Sequence, residues 1–201
     1  MSEEYPVFLH VGCGPKYQDR TPFAGKNWRE IRLDIDQAVQ PDVTGTMTDM
    51  KAVDDASVDA IFSSHNIEHL YPHEVPIALA EFNRVLKPAG FVLITCPDLQ
   101  SVCARVANDQ LVEPAYHSGM GPITPLDILY GHRGSMQQGN LYMAHRCGFT
   151  KKVLAGTMLG SGFQTLARNF PQQFALWAVG VKEEQDVEER LHALTAEFFP
   201  S

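Results

Sequence analysis

The segment Val7–Gly14 reads Val-Phe-Leu-His-Val-Gly-Cys-Gly and decides the fold. A short, mostly apolar run that stops at glycine is typical of a buried parallel strand. Gly12 and Gly14 allow the backbone to turn sharply and to approach a ligand closely. The sequence therefore predicts a buried first strand whose carboxyl end carries a ligand-binding turn.

Strands and helices alternate after this turn. Apolar runs predict strands at Trp28–Asp36, Val58–Ser64 and Phe91–Cys96. Apolar side chains recur at helical spacing over His73–Lys87, and Asp98 is a favourable N-cap for a further helix. This order predicts an α/β, doubly wound, mostly parallel sheet, which binds ligands at the carboxyl ends of its strands.

The C-terminal part of the chain departs from this order. A helix at Thr150–Leu159 is followed by two successive strands, Phe163–Arg168 and Phe174–Val181, which predict an antiparallel pair at the sheet edge. The acidic tail Glu183–Phe199 carries one apolar stripe, so we expect a helix that packs on its own domain. Leu111–Phe149 lacks sustained periodicity, and we expect it to form an irregular lid or substrate-binding insertion.

Length and composition favour a single globular domain over residues 1–201. Hydrophobic residues make up 44% and charged residues 20% of the chain, which excludes a disordered protein. The net charge of −8 argues against a nucleic-acid partner, and no apolar run is long enough to cross a membrane. The acidic N-terminus lacks an export signal and the four cysteines form no Cys-x-x-Cys pair, so we expect a cytoplasmic protein with reduced thiols.

Asp34 supplies the second feature of a nucleoside site. It follows Gly14 by 20 residues at a predicted strand end, where a carboxylate can accept hydrogen bonds from two ribose hydroxyls. A dinucleotide site requires a third glycine and a helix facing the pyrophosphate, but Tyr17 fills the glycine position and residues 15–27 lack helical periodicity. A nucleoside cofactor without phosphates fits better, which points to S-adenosylmethionine.

Four stretches, taken together, resemble the class I S-adenosylmethionine-dependent methyltransferases of the type 11 group, which includes quinone-biosynthesis methyltransferases. They are Phe8–Pro15, Arg32–Asp36, Val58–His65 and Arg84–Gly90. The resemblance implies a Rossmann-like sheet of seven strands with an antiparallel edge strand. It also implies that S-adenosylmethionine is the methyl donor.

The resemblance further implies roles for individual residues. The glycine turn is expected against the methionyl group, Asp34 at the ribose, and Asp49 with Met50 beside the adenine. His10 replaces an acidic residue that the family uses near the methionine amino group. The residues assigned to the cofactor are His10, Gly12, Cys13, Gly14, Asp34, Ile35, Asp49, Met50 and Ser64.

Histidines are the candidates for proton transfer. His65, Glu68 and His69 follow the predicted strand Val58–Ser64, at the sheet edge where a ligand is expected. Histidine titrates near neutral pH and accepts a proton from a hydroxyl, while a neighbouring carboxylate orients it. We assign all three as catalytic residues; the alternative for Glu68 and His69 is that they hold the loop together.

The same segment matches the zinc-peptidase pattern His-x-x-Glu-His. That pattern binds metal from one face of a helix, whereas here a strand ends at Ser64 and the pair Tyr71-Pro72 soon interrupts the chain. We therefore expect no metal, and a zinc hydrolase is an alternative function.

Polar and aromatic side chains of Leu111–Phe149 are the candidates for binding a methyl acceptor. They are Tyr116, His117, Tyr130, His132, Asn140 and His145. The Asn-Pro-Pro-Tyr motif of related enzymes that methylate amide or amino nitrogens is absent after the strand ending at Ser64, which favours an oxygen or carbon acceptor.

These features predict an S-adenosylmethionine-dependent methyltransferase that acts on a small molecule, without a nucleic-acid or membrane partner. The alternatives are a non-catalytic cofactor-binding protein on the same fold, the zinc hydrolase, and a nicotinamide or nucleotide-sugar enzyme. The sequence leaves the acceptor and the oligomeric state open.

Overall fold

The computed structural model describes residues 5–182 and 185–200. Its main feature is a seven-stranded sheet with the strand order β3-β2-β1-β4-β5-β9-β8. The strands of the described chain are β1 (Val7–Val11), β2 (Arg29–Asp34), β3 (Val43–Thr44), β4 (Val58–Ser64), β5 (Leu86–Pro97), β6 (Tyr116–Ser118), β7 (Gly121–Ile123), β8 (Gln164–Phe170) and β9 (Ala175–Val181). The α-helices are α1 (Val75–Val85), α2 (Leu99–Ala107), α3 (Pro125–Tyr130), α4 (Arg133–Gln137), α5 (Lys151–Gly160) and α6 (Val187–Phe198).

The sheet confirms the predicted Rossmann-like fold class. Strands β1 to β5 run parallel, whereas β9 is antiparallel to both β5 and β8. The reversed strand is therefore one position in from the edge, and β8 closes the sheet. Strand β1 lies in the interior of the sheet, between β2 and β4, and all five of its residues are buried. This double burial explains its apolar sequence.

The two faces of the sheet have separate cores. On one face Leu9 and Val11 pack with α1 and α5. On the other face Phe8 packs with α6, which confirms that the tail folds back on its own domain. Helix α6 begins at Val187, and Glu183 and Glu184, where the predicted helix starts, lie outside the described residues.

A loop replaces the helix that commonly follows the first strand of such sheets. Between β1 and β2 the chain forms only the 3-10 turn Gln18–Arg20, in agreement with the missing helical periodicity. Phe23 of this loop is fully buried, and its ring stacks on that of Phe8 with 4.1 Å between centroids. The Gln18 side chain donates hydrogen bonds to the carbonyls of Phe23 and Lys26, which fixes the loop. The loop thus covers the sheet with an aromatic side chain instead of a helix.

The segment 111–149 has more regular structure than its sequence predicts. It contains the hairpin β6–β7 and the short helices α3 and α4. Thr124 and Asp127 form a capping box at α3, and Arg133 Nε donates to Asp127 at 2.7 Å. These elements span only three to six residues each, too few to show a period in the sequence.

Within the described residues, no helix has the length and apolarity needed to cross a membrane.

Candidate functional site

A cavity of about 510 Å³ opens at the carboxyl ends of β1, β2 and β4. This is the sheet edge at which a doubly wound fold binds its ligands. The residues that line it are Val11, Gly12, Gly14, Pro15, Leu33, Asp34, Ile35, Asp36, Val39, Gly45, Thr46, Met47, Thr48, His65, Asn66, His69, Leu70, Glu74, Asn140, Tyr142, Met143 and Arg146.

The glycine turn after β1 forms one wall of the cavity. Gly12 has a φ of +63° and Gly14 a φ of +52°, a left-handed conformation that favours glycine. A Cβ atom on Gly12 would lie 2.1 Å from Nδ2 of Asn66, so any larger residue collides with that side chain. Asn66 Nδ2 is buried and has no hydrogen-bond partner among the described residues. Asn66 therefore offers an amide donor beside Gly12, where the backbone carries no side chain.

Asp34 at the end of β2 fixes this turn from below. Its Oδ2 accepts a hydrogen bond from the Gly14 amide at 2.7 Å, and its Oδ1 accepts one from the Asp36 amide at 2.9 Å. The buried Arg32 guanidinium donates to the Gly14 carbonyl at 2.6 Å. Each carboxylate oxygen keeps a second lone pair for a ligand. Asp36 is half-buried and also lines the cavity, which the sequence analysis did not predict.

Four of the residues predicted to bind the cofactor line the cavity, namely Gly12, Gly14, Asp34 and Ile35. Five others do not, and these are His10, Cys13, Asp49, Met50 and Ser64.

The His10 side chain points to the face of β1 opposite to that of Leu9 and Val11, because side chains alternate along a strand. Its Nδ1 lies 2.7 Å from Glu30 Oε1, and its ring packs on Phe62 with 5.3 Å between centroids. Cys13 is buried, and this burial raises the pKa of its thiol to about 11. Ser64 Oγ lies 2.9 Å from Thr95 Oγ1, which joins the ends of β4 and β5.

The segment predicted to flank the adenine lies slightly too far along the chain. Met50 is buried in the core, and Asp49 pairs with Lys51 at 3.0 Å. The preceding residues, 45–48, line the cavity instead. The Asp49 amide donates to the Thr46 carbonyl at 3.1 Å. This hydrogen bond closes a turn that directs residues 45–48 towards the cavity. Such a turn has no apolar period, so the sequence predicts the segment but not which of its residues face inward.

The three residues predicted to be catalytic lie together in the turn that follows β4. His65 and His69 line it, whereas Glu68 is buried directly beneath them. His65 Nδ1 lies 3.5 Å from Glu68 Oε1, and His145 Nε2 lies 3.9 Å from the same oxygen. The rings of His69 and His145 meet edge to face, with 4.8 Å between centroids.

Among Glu68 and the histidines around it, the Glu68 carboxylate carries a negative charge. Burial acts to raise the pKa of Glu68, but the neighbouring His65, His69 and His145 outweigh it and hold the pKa below its usual value. Burial lowers the pKa of His145, because the charged imidazolium would lose its hydration. At neutral pH the arrangement is a carboxylate beside a neutral His145.

Only part of the predicted acceptor site lies at the cavity. Asn140 lines it, together with Tyr142 and Met143, and His145 lies behind its wall. The other predicted residues lie elsewhere in the segment: His132 caps α4, Tyr116 stacks on Phe174 with 6.4 Å between centroids, and both His117 and Tyr130 are exposed outside the cavity.

The pattern His65–His69 does not have the helical setting that the zinc-peptidase motif needs. The residues Ile67–His69 form a single 3-10 turn, and His65 has a φ of +50°. Its two histidines therefore do not project from one helical face.

Arg146 and Glu74 complete the rim of the cavity, and the sequence analysis missed both. The Arg146 guanidinium lies 4.7 Å from the centroid of the Tyr71 ring, and its Nη1 donates to the His69 carbonyl. A single arginine in a loop carries no spacing signal, which is why the pattern of residues did not reveal it.

Comparison with known proteins agrees with this geometry. A family model described as a methyltransferase domain matches residues 9–94, which include the glycine turn, Asp34 and the histidine-rich turn after β4. No curated protein matches the chain.

Solved methyltransferase structures share the fold at low sequence identity. The 1,6-didemethyltoxoflavin-N1-methyltransferase of Burkholderia thailandensis, solved with 1,6-didemethyltoxoflavin and S-adenosylhomocysteine bound, superposes with a TM-score of 0.58 at 17% identity and covers 90% of this chain and 72% of its own. A SAM-dependent methyltransferase from Archaeoglobus fulgidus gives a TM-score of 0.57 at 13% identity over 89% and 86% of the two chains. A protein from Pyrococcus horikoshii gives 0.62 at 14% identity over 90% and 84%.

Proposed function

We propose that the chain is a class I S-adenosylmethionine-dependent methyltransferase of the type 11 family and that it transfers the methyl group of S-adenosylmethionine to an oxygen atom of a small molecule. The observation that carries this proposal is the continuous cavity of about 510 Å³. It is lined both by the nucleoside-type turn with Gly12 and Asp34 and by the proton acceptors His65 and His69.

The cofactor is proposed to follow the wall made by β1 and β2. Its methionyl group lies along the Gly12 turn, where Asn66 Nδ2 is free to donate to the carboxylate. Its ribose hydroxyls donate to Asp34 and Asp36, and its adenine packs beside residues 45–48.

The reaction is an in-line displacement, and the chain's main contribution is alignment of acceptor and methyl group. The acceptor oxygen forms a bond to the methyl carbon while the carbon–sulfur bond breaks and leaves S-adenosylhomocysteine. The acceptor proton passes to His65, which the buried Glu68 carboxylate orients from 3.5 Å away. A hydroxyl acceptor must lose its proton when its oxygen is methylated, and His65 can take up that proton.

Residues 111–149 are proposed to cover the acceptor as part of one domain over residues 1–201. Asn140, Tyr142 and Met143 from this segment reach the cavity wall and combine polar and apolar surface. The precedent among solved structures is the Burkholderia enzyme, whose structure holds a small heterocycle.

Calorimetric titration with S-adenosylmethionine and S-adenosylhomocysteine tests the proposal. We expect binding of one equivalent of each, and no binding of the oxidised or reduced nicotinamide dinucleotides. Binding of the dinucleotides alone would replace the proposal with the nicotinamide alternative. Binding of the sulfur nucleosides with turnover of carbon or nitrogen acceptors alone would overturn the oxygen assignment, and binding without turnover of any acceptor class would favour the non-catalytic protein.

A further inference from the structure

Glu68 is a buried carboxylate without a conventional partner. It is 1% exposed, and neither of its oxygens forms a hydrogen bond within the described residues. Burial of a carboxylate is costly unless it is paired, hydrogen-bonded or bound to a metal ion. Its nearest basic atoms, on His65 and His145, stay at 3.5 and 3.9 Å. Both distances are longer than an ordinary hydrogen bond, so the carboxylate lacks the close donor that would offset the cost of its burial.

Two histidines facing this space are fixed in one tautomer. His69 Nδ1 lies 3.0 Å from the Ala144 carbonyl oxygen, and His145 Nδ1 lies 2.8 Å from the Ile128 carbonyl oxygen. A carbonyl can only accept, so each Nδ1 carries the proton and each Nε2 keeps a lone pair in the neutral ring. Histidines that bind metals characteristically donate their other ring N–H to a carbonyl or carboxylate.

The three groups converge on one point. One ligand atom from each of Glu68, His69 and His145 lies within 4.8 Å of the other two. The backbone holds them there, because the amides of Arg146 and Cys147 donate to the Glu68 carbonyl at 2.9 and 3.2 Å. The loop that carries His145 is thus tied to the turn that carries Glu68, although 77 positions separate them in the sequence.

We propose that Glu68, His69 and His145 bind one divalent first-row transition-metal ion at the wall of the cavity. Two imidazole nitrogens and one carboxylate oxygen suit Zn²⁺, Co²⁺ or Mn²⁺ better than Mg²⁺ or Ca²⁺, which prefer oxygen ligands. At metal–ligand distances of about 2.0–2.1 Å, tetrahedral ligand atoms stand about 3.3 Å apart, so the ligand atoms, which lie within 4.8 Å of one another without metal, approach by up to about 1.5 Å on binding. This site uses the glutamate as a ligand and leaves out His65, and so differs from the zinc-peptidase arrangement.

Three protein ligands leave a coordination position open. His69 lines the cavity, so that position faces the space assigned to the methyl acceptor. There the ion would bind the acceptor oxygen and lower the pKa of its hydroxyl, which favours loss of the proton that His65 takes up. This last role rests on the proposed function, whereas metal binding itself does not.

Titration of the chelator-treated full chain with Co²⁺ tests the site, because Co²⁺ bound to nitrogen and oxygen ligands absorbs visible light. We expect one equivalent to bind with a new visible band, Zn²⁺ to displace it, and excess Mg²⁺ to leave it unchanged. X-ray absorption on the wild-type complex should count two imidazole ligands. These two measurements on the wild-type protein can overturn the proposal by themselves. They do so if the protein does not bind one equivalent of Co²⁺, or if the X-ray absorption spectrum shows no imidazole ligand.

Variants assign the ligands. Glu68→Gln and His145→Ala should each weaken Co²⁺ binding by at least about 100-fold, more than loss of an outer-shell partner usually costs. His192→Ala is the matched control, because His192 Nε2 also lies 3.9 Å from a glutamate oxygen but on the exposed face of α6. The assignment is contradicted if Glu68→Gln and His145→Ala both bind Co²⁺ as tightly as the wild type, or if His192→Ala loses as much Co²⁺ affinity as they do. Titration of the same metal-free sample with S-adenosylmethionine separates this outcome from failure of the proposed function.

Discussion

At the scale of single residues, Asp34 has two tasks that a substitution can separate. Its oxygens hold the glycine turn through the amides of Gly14 and Asp36 and are proposed to accept the ribose hydroxyls. Asp34→Asn keeps the size and one acceptor oxygen but loses the charge. A hydrogen bond to a charged group contributes about 1.5–3 kcal/mol, so we expect S-adenosylmethionine to bind roughly ten- to a hundred-fold more weakly by calorimetry. Unchanged affinity in this variant, with Asp36→Asn weakened instead, would move the ribose contact to Asp36.

His65 allows a second prediction at this scale. It is exposed at the cavity and has a φ of +50°, which asparagine tolerates better than alanine does. His65→Asn should leave cofactor affinity unchanged and lower kcat by about 100- to 10,000-fold if the imidazole takes the acceptor proton. His73→Asn, a change of an exposed histidine outside the cavity, is the control. Equal turnover in both variants would rule out His65 as the base.

At the scale of elements, the loop between β1 and β2 takes over the packing of a helix through Phe23. The Phe23 ring is fully buried. It stacks on the Phe8 ring and lies 4.9 Å, between centroids, from the Phe198 ring of α6. Truncation of a buried phenylalanine to alanine costs about 3–5 kcal/mol. We expect Phe23→Ala to lower the free energy of unfolding by that amount in urea denaturation, and Phe23→Leu to lower it much less. A loss below about 1 kcal/mol for Phe23→Ala would mean that the sheet face is held by α6 alone.

The elements also show what the sequence could predict. The central strands and α1 follow from apolar periods, and the cavity follows from the rule that ligands bind at the carboxyl ends of parallel strands. Residues 45–48 and the contact between Glu68 and His145 could not be predicted. Turn geometry selects which side chains of a short loop face inward. The approach of Glu68, in the turn after β4, to His145, 77 positions away in the sequence, is a tertiary effect without local signal.

At the scale of the whole molecule, the reactivity of each cysteine depends on how deeply the fold buries its thiol. All four thiols are free, and only Cys103, on α2, is exposed. Burial raises the pKa of Cys13 and of Cys147 to about 11, and that of Cys96 well above its ordinary value. The thiolate is the reactive form, so all three have a small thiolate fraction at neutral pH; Cys13 and Cys96 are also buried, and Cys147 is half-buried.

We therefore expect a disulfide reagent at pH 7.5 to label one thiol per chain rapidly in the native protein and all four in denaturant. Cys103→Ser should remove the fast phase and leave the slow phases, which require opening of the sheet edge, unchanged. Rapid labelling of a second thiol would show that the cavity wall opens readily. Cys147 follows His145 by two residues, and its amide donates to the Glu68 carbonyl. Its labelling rate therefore measures how firmly the loop that carries His145 is held to the turn that carries Glu68 and His69.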